Sequence, residues 1–289
     1  MEHNDKTTGQ TVIGVDMGGT RIRTGRVKDN IIESTASDFV PKTDNASEVT
    51  DVLVKLIHEV SDEEVAGIGV GVPSLVDSDK GIVYNVQNIP SWEEVYLKDI
   101  LEKEFKVPVY VNNDANCFAV GERFFGKGKE YEDFVGLICG TGLGAGIIKN
   151  GHLMPDRNCG SGEFGEIPYL DRIYEYYASG QFFQHVYGEN GDDMALRARQ
   201  KDQVALKAFS EFGTHLGKAI KTIMLAVDPA AIIIGGGVAE SFELYRDSMY
   251  TEMKDFPYPR SVQNLEILIT DTQEIAILGA AALYYNATD

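Results

Sequence analysis

The sequence has few basic residues and no long apolar run. Its 289 residues include 26 Lys and Arg against 45 Asp and Glu, which gives a net charge of −19. A surface this negative repels a phosphate backbone, so nucleic acid is not expected as a general partner. No uninterrupted apolar stretch approaches the roughly 18 residues that a membrane helix needs, so no membrane partner is expected either.

Cysteine is also scarce. Cys117, Cys139 and Cys159 form no CxxC pair, so the sequence indicates neither a disulfide framework nor a zinc knuckle. The odd number of cysteines and the polar first ten residues, which lack an apolar signal segment, predict a cytoplasmic protein. The chain length and the 43% content of hydrophobic residues are typical of a globular protein with two domains.

A carboxylate lies where a strand is predicted to pass into a helix. Val107, Val109 and Val111 alternate with other residues as in a strand, and a helical pattern follows from Ala115. Asp114 is therefore predicted in the first helical turn, where the helix N-terminus favours the ionised form. An ionised carboxylate beside a cleft can accept a proton from a substrate hydroxyl. The alternative is that Asp114 only caps the helix.

Three glycine-rich turns follow predicted strands. Adjacent glycines let a backbone approach a ligand closely and expose N–H groups that bind phosphate, whereas the alternatives are a plain hairpin or a tight connection. Asp16 ends the first of these strands and is a candidate for placing a metal or a phosphate. The turn residues are Gly18, Gly19 and Thr20; Gly140, Thr141 and Gly142; and Gly235, Gly236 and Gly237.

The second turn also matches the pattern GxGxxA, through Gly140, Gly142 and Ala145. A dinucleotide-binding fold, and with it an oxidoreductase, would require a helix immediately afterwards. The sequence predicts a strand there instead, leading to an Asn150–Gly151 hairpin turn. The dinucleotide alternative is therefore disfavoured.

Further polar residues are candidates for binding a sugar. Glu163 and Glu166 are spaced among glycines, and Glu175 follows within an aromatic segment. Carboxylates accept charge-assisted hydrogen bonds from sugar hydroxyls, although a solvated acidic loop is an equally simple explanation. Asn88 can bind a polar substrate through its amide, or it can form a turn before Pro90.

These motifs together resemble the ROK family of repressors, uncharacterised open reading frames and sugar kinases. The resemblance runs from about Val12 to the last helix. It implies an α/β protein with the actin-like ATPase (ribonuclease H-like) fold, in which two α/β domains flank a cleft. The expected domains are a smaller one over residues 1–115, completed by helix 274–289, and a larger one over 116–273. The motifs are Asp16–Thr20, Asn113–Asn116, Gly140–Gly144 and Gly235–Val238.

The resemblance also implies roles for individual residues. Asp114 corresponds to the catalytic base, the first two glycine turns to phosphate sites, and Gly236 and Gly237 to the nucleoside site. The implied ligands are ATP with Mg²⁺, which Asp16 would help to place, and a sugar; family likeness also suggests a homodimer. The implied sugar contacts are Asn88, Asn113, Asp114, Glu163, Glu166 and Glu175.

The sequence departs from the family pattern in one loop. Glu166 stands where most members have a histidine, and no cysteine lies between it and Glu175, so no structural zinc is expected. The first strand is predicted near Thr11, which leaves no room for a DNA-binding helix-turn-helix and favours the kinase branch. The expected activity is ATP-dependent phosphorylation of glucose at its 6-hydroxyl. The alternatives are a non-catalytic sugar sensor, or a kinase for another hexose or N-acetylhexosamine such as N-acetylmannosamine, allose or fructose.

Overall fold

The computed structural model describes residues 9–86 and 89–289. Contacts within the chain divide it into two compact units. Unit 1 comprises the residues up to Glu132 together with Ile148–Ser161 and Thr272–Asp289, and unit 2 comprises Asp133–Ile147 and Gly162–Asp271. The domain bounds implied by the family resemblance stay a prediction.

Unit 1 is built on a five-stranded sheet with the order β3-β2-β1-β4-β8. The first three strands form an antiparallel meander, while β4 and β8 run parallel to β1. A small second sheet, β5-β6-β7, follows β4 in the chain. The strands are β1 Thr11–Met17, β2 Arg21–Lys28, β3 Ile31–Phe39, β4 Val65–Val72, β5 Leu75–Asp77, β6 Ile82–Tyr84, β7 Glu94–Tyr96 and β8 Val109–Asn113.

The helices of unit 1 are α1 Ala46–Val60, α2 Leu97–Phe105, α3 Asp114–Phe125 and α9 Ile275–Thr288. Asn45 caps α1 by accepting a hydrogen bond from the N–H of Ser47. One face of α1, which includes Leu53 and Ile57, is fully buried in the core of unit 1. Apolar residues spaced three or four apart therefore explain both the helix and its docking.

Helix α9 lies directly on the main sheet of unit 1 because two strand positions are glycine. A Cβ atom at Gly14 would lie 2.0 Å from the carbonyl oxygen of Ile277, and one at Gly69 would lie 1.8 Å from that of Ala280. No side chain fits at these distances. The packing of backbone against backbone thus fixes β1 and β4 against α9. Asp16 lies in β1, and β8, which leads to Asp114, pairs with β4.

Unit 2 contains a sheet in which β10, β9, β14 and β15 are adjacent in that order. Strand β14 is parallel to both β9 and β15, and β10 extends beyond unit 2 to pair with β11 through its last two residues. A separate hairpin joins β12 and β13. The strands are β9 Phe134–Cys139, β10 Leu143–Lys149, β11 His152–Leu153, β12 Pro168–Tyr169, β13 Arg172–Ile173, β14 Ala231–Gly235 and β15 Glu266–Ile269.

The helices of unit 2 pack a large aromatic core. The ring centroid of Phe183 lies 4.6 Å from that of Phe209 and 5.4 Å from that of Phe212. Within residues 9–86 and 89–289, no helix combines the length and apolar character needed to cross a bilayer. The helices are α4 Tyr174–Ala178, α5 Gly191–Arg199, α6 Gln203–Val227, α7 Phe242–Met253 and α8 Pro259–Asn264.

Two sequence expectations about the glycine turns are confirmed by these elements. A strand–turn–strand unit occurs twice, as β1–β2 and as β9–β10. After Ala145 the chain continues as strand β10, so the helix that a dinucleotide fingerprint requires does not follow.

Because α9 lies so close to the sheet, a side chain added at a contacting glycine is expected to destabilise the fold. We expect Gly69→Ala to lower the free energy of unfolding by about 1–3 kcal/mol, because its methyl group displaces a helix backbone, and to lower the melting temperature by several degrees. Gly160→Ala is the control, since the nearest atom to its Cβ would lie 3.9 Å away. Equal melting temperatures for the two variants would contradict the packing argument.

Candidate active site

Strand β8 passes into α3 through a run of buried asparagines. Asn113 is the N-cap of α3, and its side-chain oxygen accepts a hydrogen bond of 2.7 Å from the N–H of Asn116. Asn112 accepts hydrogen bonds from the N–H of Asn113 and from the side-chain amide of Asn116. The junction is therefore held rigidly. The side-chain nitrogen of Asn113 has no partner among the described residues and is available to a ligand.

Asp114 is the first residue of α3, as the sequence predicted. Its Oδ1 accepts a hydrogen bond of 2.9 Å from the N–H of Ala115, and Oδ2 accepts no hydrogen bond from another described residue. Solvent reaches the side chain, although protein atoms crowd around it. This crowding desolvates the carboxylate and raises its pKa, and the charge of Asp16 raises the pKa further.

The raised pKa of Asp114 is a correction to the expectation from the helix N-terminus alone. The hydrogen bond from Ala115 does lower the pKa of the carboxyl group, but desolvation outweighs it. The result is a carboxylate that binds a proton more readily than an ordinary aspartate. Such a group suits general base catalysis better than a strongly stabilised anion does.

Asp16 lies at the end of β1, next to the first glycine turn. Both Nε and Nη2 of Arg23 donate to its Oδ2, at 3.0 and 2.7 Å, and Arg23 also pairs with Glu274. Oδ1 of Asp16 accepts no hydrogen bond from a described residue. The N–H of Gly18 donates to the carbonyl of Arg21 and closes the turn, in which Gly19 is half-buried and Thr20 exposed.

The residues around Asp16 suit Mg²⁺. The oxygen that Arg23 leaves open is a hard carboxylate ligand, and a second carboxylate, Asp114, is close enough to interact with it. In the described part of the chain, no group of three or more His, Cys, Asp or Glu side chains is arranged for a metal ion. Mg²⁺ does not need such a group, because one or two carboxylates, water and substrate phosphates usually hold it.

In unit 2, the second and third glycine turns pack against each other. The N–H of Gly140 donates to the carbonyl of Gly142 at 3.0 Å, which closes the second turn. Gly236 has a φ of +87°, and a Cβ atom there would lie 2.4 Å from the carbonyl oxygen of Cys139. Only glycine meets both requirements at position 236.

A pocket of about 490 Å³ opens beside these two turns. Phe183, Phe209 and Val238 form apolar walls, and short polar side chains lie around them. Aromatic walls beside glycine amides are suited to a flat base attached to phosphates. The remaining lining residues are Gly140, Thr141, Gly180, Gln181, Gln184, Asn190, Gly191, Asp192, Gly237 and Ser241.

The three candidate glutamates also lie in unit 2. A Cβ atom at Gly162 would lie 1.8 Å from the carbonyl oxygen of Ala145, and one at Gly165 would lie 2.4 Å from that of Leu143. These glycines therefore seat the acidic loop on β10. Within that loop Glu163 is half-buried and Glu166 is exposed.

Glu175 lies at the start of α4, where it contacts the second glycine turn. Its Oε2 accepts a hydrogen bond of 3.0 Å from the N–H of Leu143, and Gln181 donates to its Oε1 at 3.3 Å. Reasoning from the sequence identified Glu175 only as a sugar contact and missed Gln181. The signal that would have pointed to Gln181 is its place just after the small residues Ser179 and Gly180.

The structure thus groups the candidate residues in two sets. Asn88, a further predicted sugar contact, lies outside the described residues. Unit 1 holds Asp16, Gly18, Gly19, Thr20, Asn113 and Asp114. Unit 2 holds Gly140, Thr141, Gly142, Glu163, Glu166, Glu175, Gly236 and Gly237.

Three curated relatives illustrate the range of proteins that this chain resembles. The glucokinase of Thermotoga maritima is 28% identical over 94% of this chain and 96% of its own length. The N-acetyl-D-glucosamine kinase of Pectobacterium atrosepticum is 30% identical over 81% of this chain and 86% of its own. The xylose repressor of Bacillus subtilis is 28% identical over 89% of this chain and 72% of its own.

A solved structure confirms the predicted fold. The ROK family glucokinase of Streptomyces griseus, in complex with glucose and AMPPNP, is 28% identical and superimposes with a TM-score of 0.78. The match covers 94% of this chain and 98% of that one. The fold is the actin-like ATPase fold shared by ROK sugar kinases. The ROK family pattern itself matches residues 12–287, and the chain therefore belongs to the ROK family.

Proposed function

We propose that this protein is an ATP-dependent hexose kinase that phosphorylates glucose at its 6-hydroxyl, with Asp114 as general base. The observation that carries the proposal is the Asp114 carboxylate, which solvent reaches and which has one oxygen without a partner among the described residues. Its raised pKa suits proton acceptance. The glucokinases of T. maritima and S. griseus are named for this reaction and match almost the whole chain.

In the proposed reaction, the sugar's primary hydroxyl donates a hydrogen bond to Oδ2 of Asp114. The carboxylate takes the proton as the hydroxyl oxygen attacks the γ-phosphorus of ATP. A new O–P bond forms, the bond from that phosphorus to the bridging oxygen breaks, and ADP leaves with the electron pair. The open amide of Asn113 and the carboxylates Glu163, Glu166 and Glu175 are proposed to orient the sugar.

The phosphates are proposed to bind the glycine turns at Gly18–Thr20 and Gly140–Gly142. Backbone N–H groups there stabilise negative charge without reorganising during the reaction. The nucleoside is assigned to the pocket beside Gly236 and Gly237, where Phe183, Phe209 and Val238 form part of the lining. Asp16 would hold Mg²⁺, which when bound neutralises phosphate charge.

Two other functions have specific support. The likeness to an N-acetyl-D-glucosamine kinase favours an N-acetylhexosamine as the alternative substrate. An ionised Glu166 can only accept hydrogen bonds, so a hydroxyl of the sugar rather than an acceptor group is expected to face it.

The likeness to a xylose repressor favours a sugar sensor that releases no ADP. The open carboxylate of Asp114 argues for the kinase over the sensor.

Removal of the base tests the proposal. We expect Asp114→Asn to lower sugar-dependent ADP release from Mg-ATP by about 10²–10⁴-fold, while calorimetry shows unchanged affinity for a non-hydrolysable ATP analogue. The control is Asp247→Asn, because that carboxylate is exposed on α7 and, among the described residues, pairs only with its neighbour Arg246. Full turnover by a folded Asp114→Asn variant would reject the proposed role.

The pH dependence of kcat/KM provides a second test, since it reports the pKa of the essential base in the free enzyme. The rate requires the ionised form of Asp114, so activity falls as pH drops through the pKa of that group. Desolvation raises this pKa, so we expect the acid limb to lie above the ordinary aspartate value of about 3.9. An acid limb at or below that value would contradict the assignment.

The raised pKa of Asp114 also leads to a prediction about the stability of the Asp114→Asn variant. A carboxyl group whose pKa is raised by folding binds more protons in the folded state, so its ionisation lowers stability as pH rises. Asparagine cannot ionise, and its side-chain oxygen can still accept the hydrogen bond from Ala115. We therefore expect Asp114→Asn to melt no lower than the unaltered protein at pH 7. A clearly lower melting temperature would show that ionised Asp114 stabilises the fold.

A further inference from the structure

We infer that Gln181 and Glu175 are positioning residues for the phosphate turn at Gly140–Leu143, an inference that rests on the proposed function of that turn. Together we call these two side chains the turn latch. The amide nitrogen of Gln181 donates to the carbonyl oxygen of Thr141 at 2.9 Å and to Glu175 at 3.3 Å. Glu175 in turn accepts the N–H of Leu143.

The orientation of the Gln181 amide is fixed by its partners. Both neighbouring groups, a backbone carbonyl and a carboxylate, accept hydrogen bonds. The nitrogen of the amide must therefore face them, and a flipped amide would set oxygen against oxygen. Gln181 also lines the pocket assigned to the nucleoside, which places the latch beside the proposed ligand.

The hydrogen bonds of the latch determine which backbone N–H groups of the turn can still bind a phosphate. The N–H of Gly140 is used within the turn, by the carbonyl of Gly142, and that of Leu143 is used by Glu175. Among the described residues, no partner is found for the N–H groups of Thr141 and Gly142. These two groups are the ones that an anion can bind.

The carboxylate of Glu175 can approach the turn closely because residue 142 is glycine. A Cβ atom at Gly142 would lie 2.7 Å from Oε2 of Glu175. The turn is also fixed from its other side, because the N–H of Gly180 donates to the carbonyl of Gly140 at 2.7 Å. Segment 175–181 thus forms hydrogen bonds with the turn at Gly140, Thr141 and Leu143, and loss of the latch leaves the backbone contact at Gly180.

The experiment compares ligands with and without phosphates. We expect Gln181→Met, which keeps the side-chain length but removes the donor, to weaken binding of AMPPNP by about 10-fold, as for the loss of hydrogen bonds to a charged group and a carbonyl. Adenosine, which lacks phosphates, should bind within about 2-fold of the unaltered protein. Calorimetry measures both affinities. Gln203→Met is the matched control, because Gln203 is exposed at the start of α6 and, among the described residues, its amide donates only to the carbonyl of Lys201.

A second variant shows whether the two side chains act through the same turn. We expect Glu175→Ala to weaken AMPPNP binding similarly, and the double variant to lose little more than either single one, as coupled residues do. A change for Gln181→Met that is equal for AMPPNP and adenosine, or no change at all, overturns the latch. Additive losses of AMPPNP affinity in the double variant also overturn the latch.

The outcomes separate this inference from the proposed function. An unaltered protein that binds AMPPNP but releases no ADP with any sugar overturns the kinase, while the latch is still judged by the nucleotide affinities. Sugar-dependent ADP release together with unchanged AMPPNP binding in Gln181→Met overturns the latch alone. Failure of the unaltered protein to bind AMPPNP overturns both.

Discussion

Close approach of backbone to backbone at glycine positions is the constraint on which the candidate site depends. In unit 1, Gly14 and Gly69 let α9 lie on the sheet whose strand ends carry Asp16 and Asp114. In unit 2, Gly162 and Gly165 seat the acidic loop on β10. Gly236 brings the third glycine turn against the second. Each approach leaves no space for a side chain, so the positions of the polar groups follow from the main chain rather than from flexible contacts.

The two candidate carboxylates at the sheet edge of unit 1 are held in different ways. Asp16 is neutralised by two hydrogen bonds from Arg23 and keeps one oxygen open. Asp114 has no cationic partner among the described residues, and desolvation together with the charge of Asp16 raises its pKa. Asp16 therefore has a cationic partner in the fold, whereas the raised pKa of Asp114 suits it to accept a proton.

Much of this arrangement could be predicted from the sequence, because it depends on local patterns. The alternation of Val107, Val109 and Val111 predicted the strand before α3, and the glycine turns predicted the two strand–turn–strand units. The order of these motifs also led to the fold, which the comparison with solved structures confirms. Local signals of this kind involve neighbours in the chain and need no knowledge of packing.

The features of the candidate site that the sequence did not predict depend on contacts between residues distant in the chain. The direction of the pKa shift of Asp114 was wrong when argued from the helix N-terminus alone, since the desolvation that decides it comes from the packed protein. Glu175 reaches Leu143 across 32 positions, and Gln181 reaches Thr141 across 40. No periodic pattern in the sequence indicates which residues so far apart form hydrogen bonds. The roles of the site residues accordingly stay proposals that the variants described above can test.

Transfer of labelled phosphate from γ-³²P-ATP, with Mg²⁺, tests the central claim most directly. The acceptors are glucose, 6-deoxyglucose, other hexoses and N-acetylhexosamines. A kinase that uses the primary hydroxyl labels glucose or another sugar of the panel and does not label 6-deoxyglucose, which lacks that hydroxyl. Labelling of 6-deoxyglucose at the rate of glucose would contradict the proposed acceptor atom. Absence of label in every sugar would contradict the kinase itself and favour a sugar sensor.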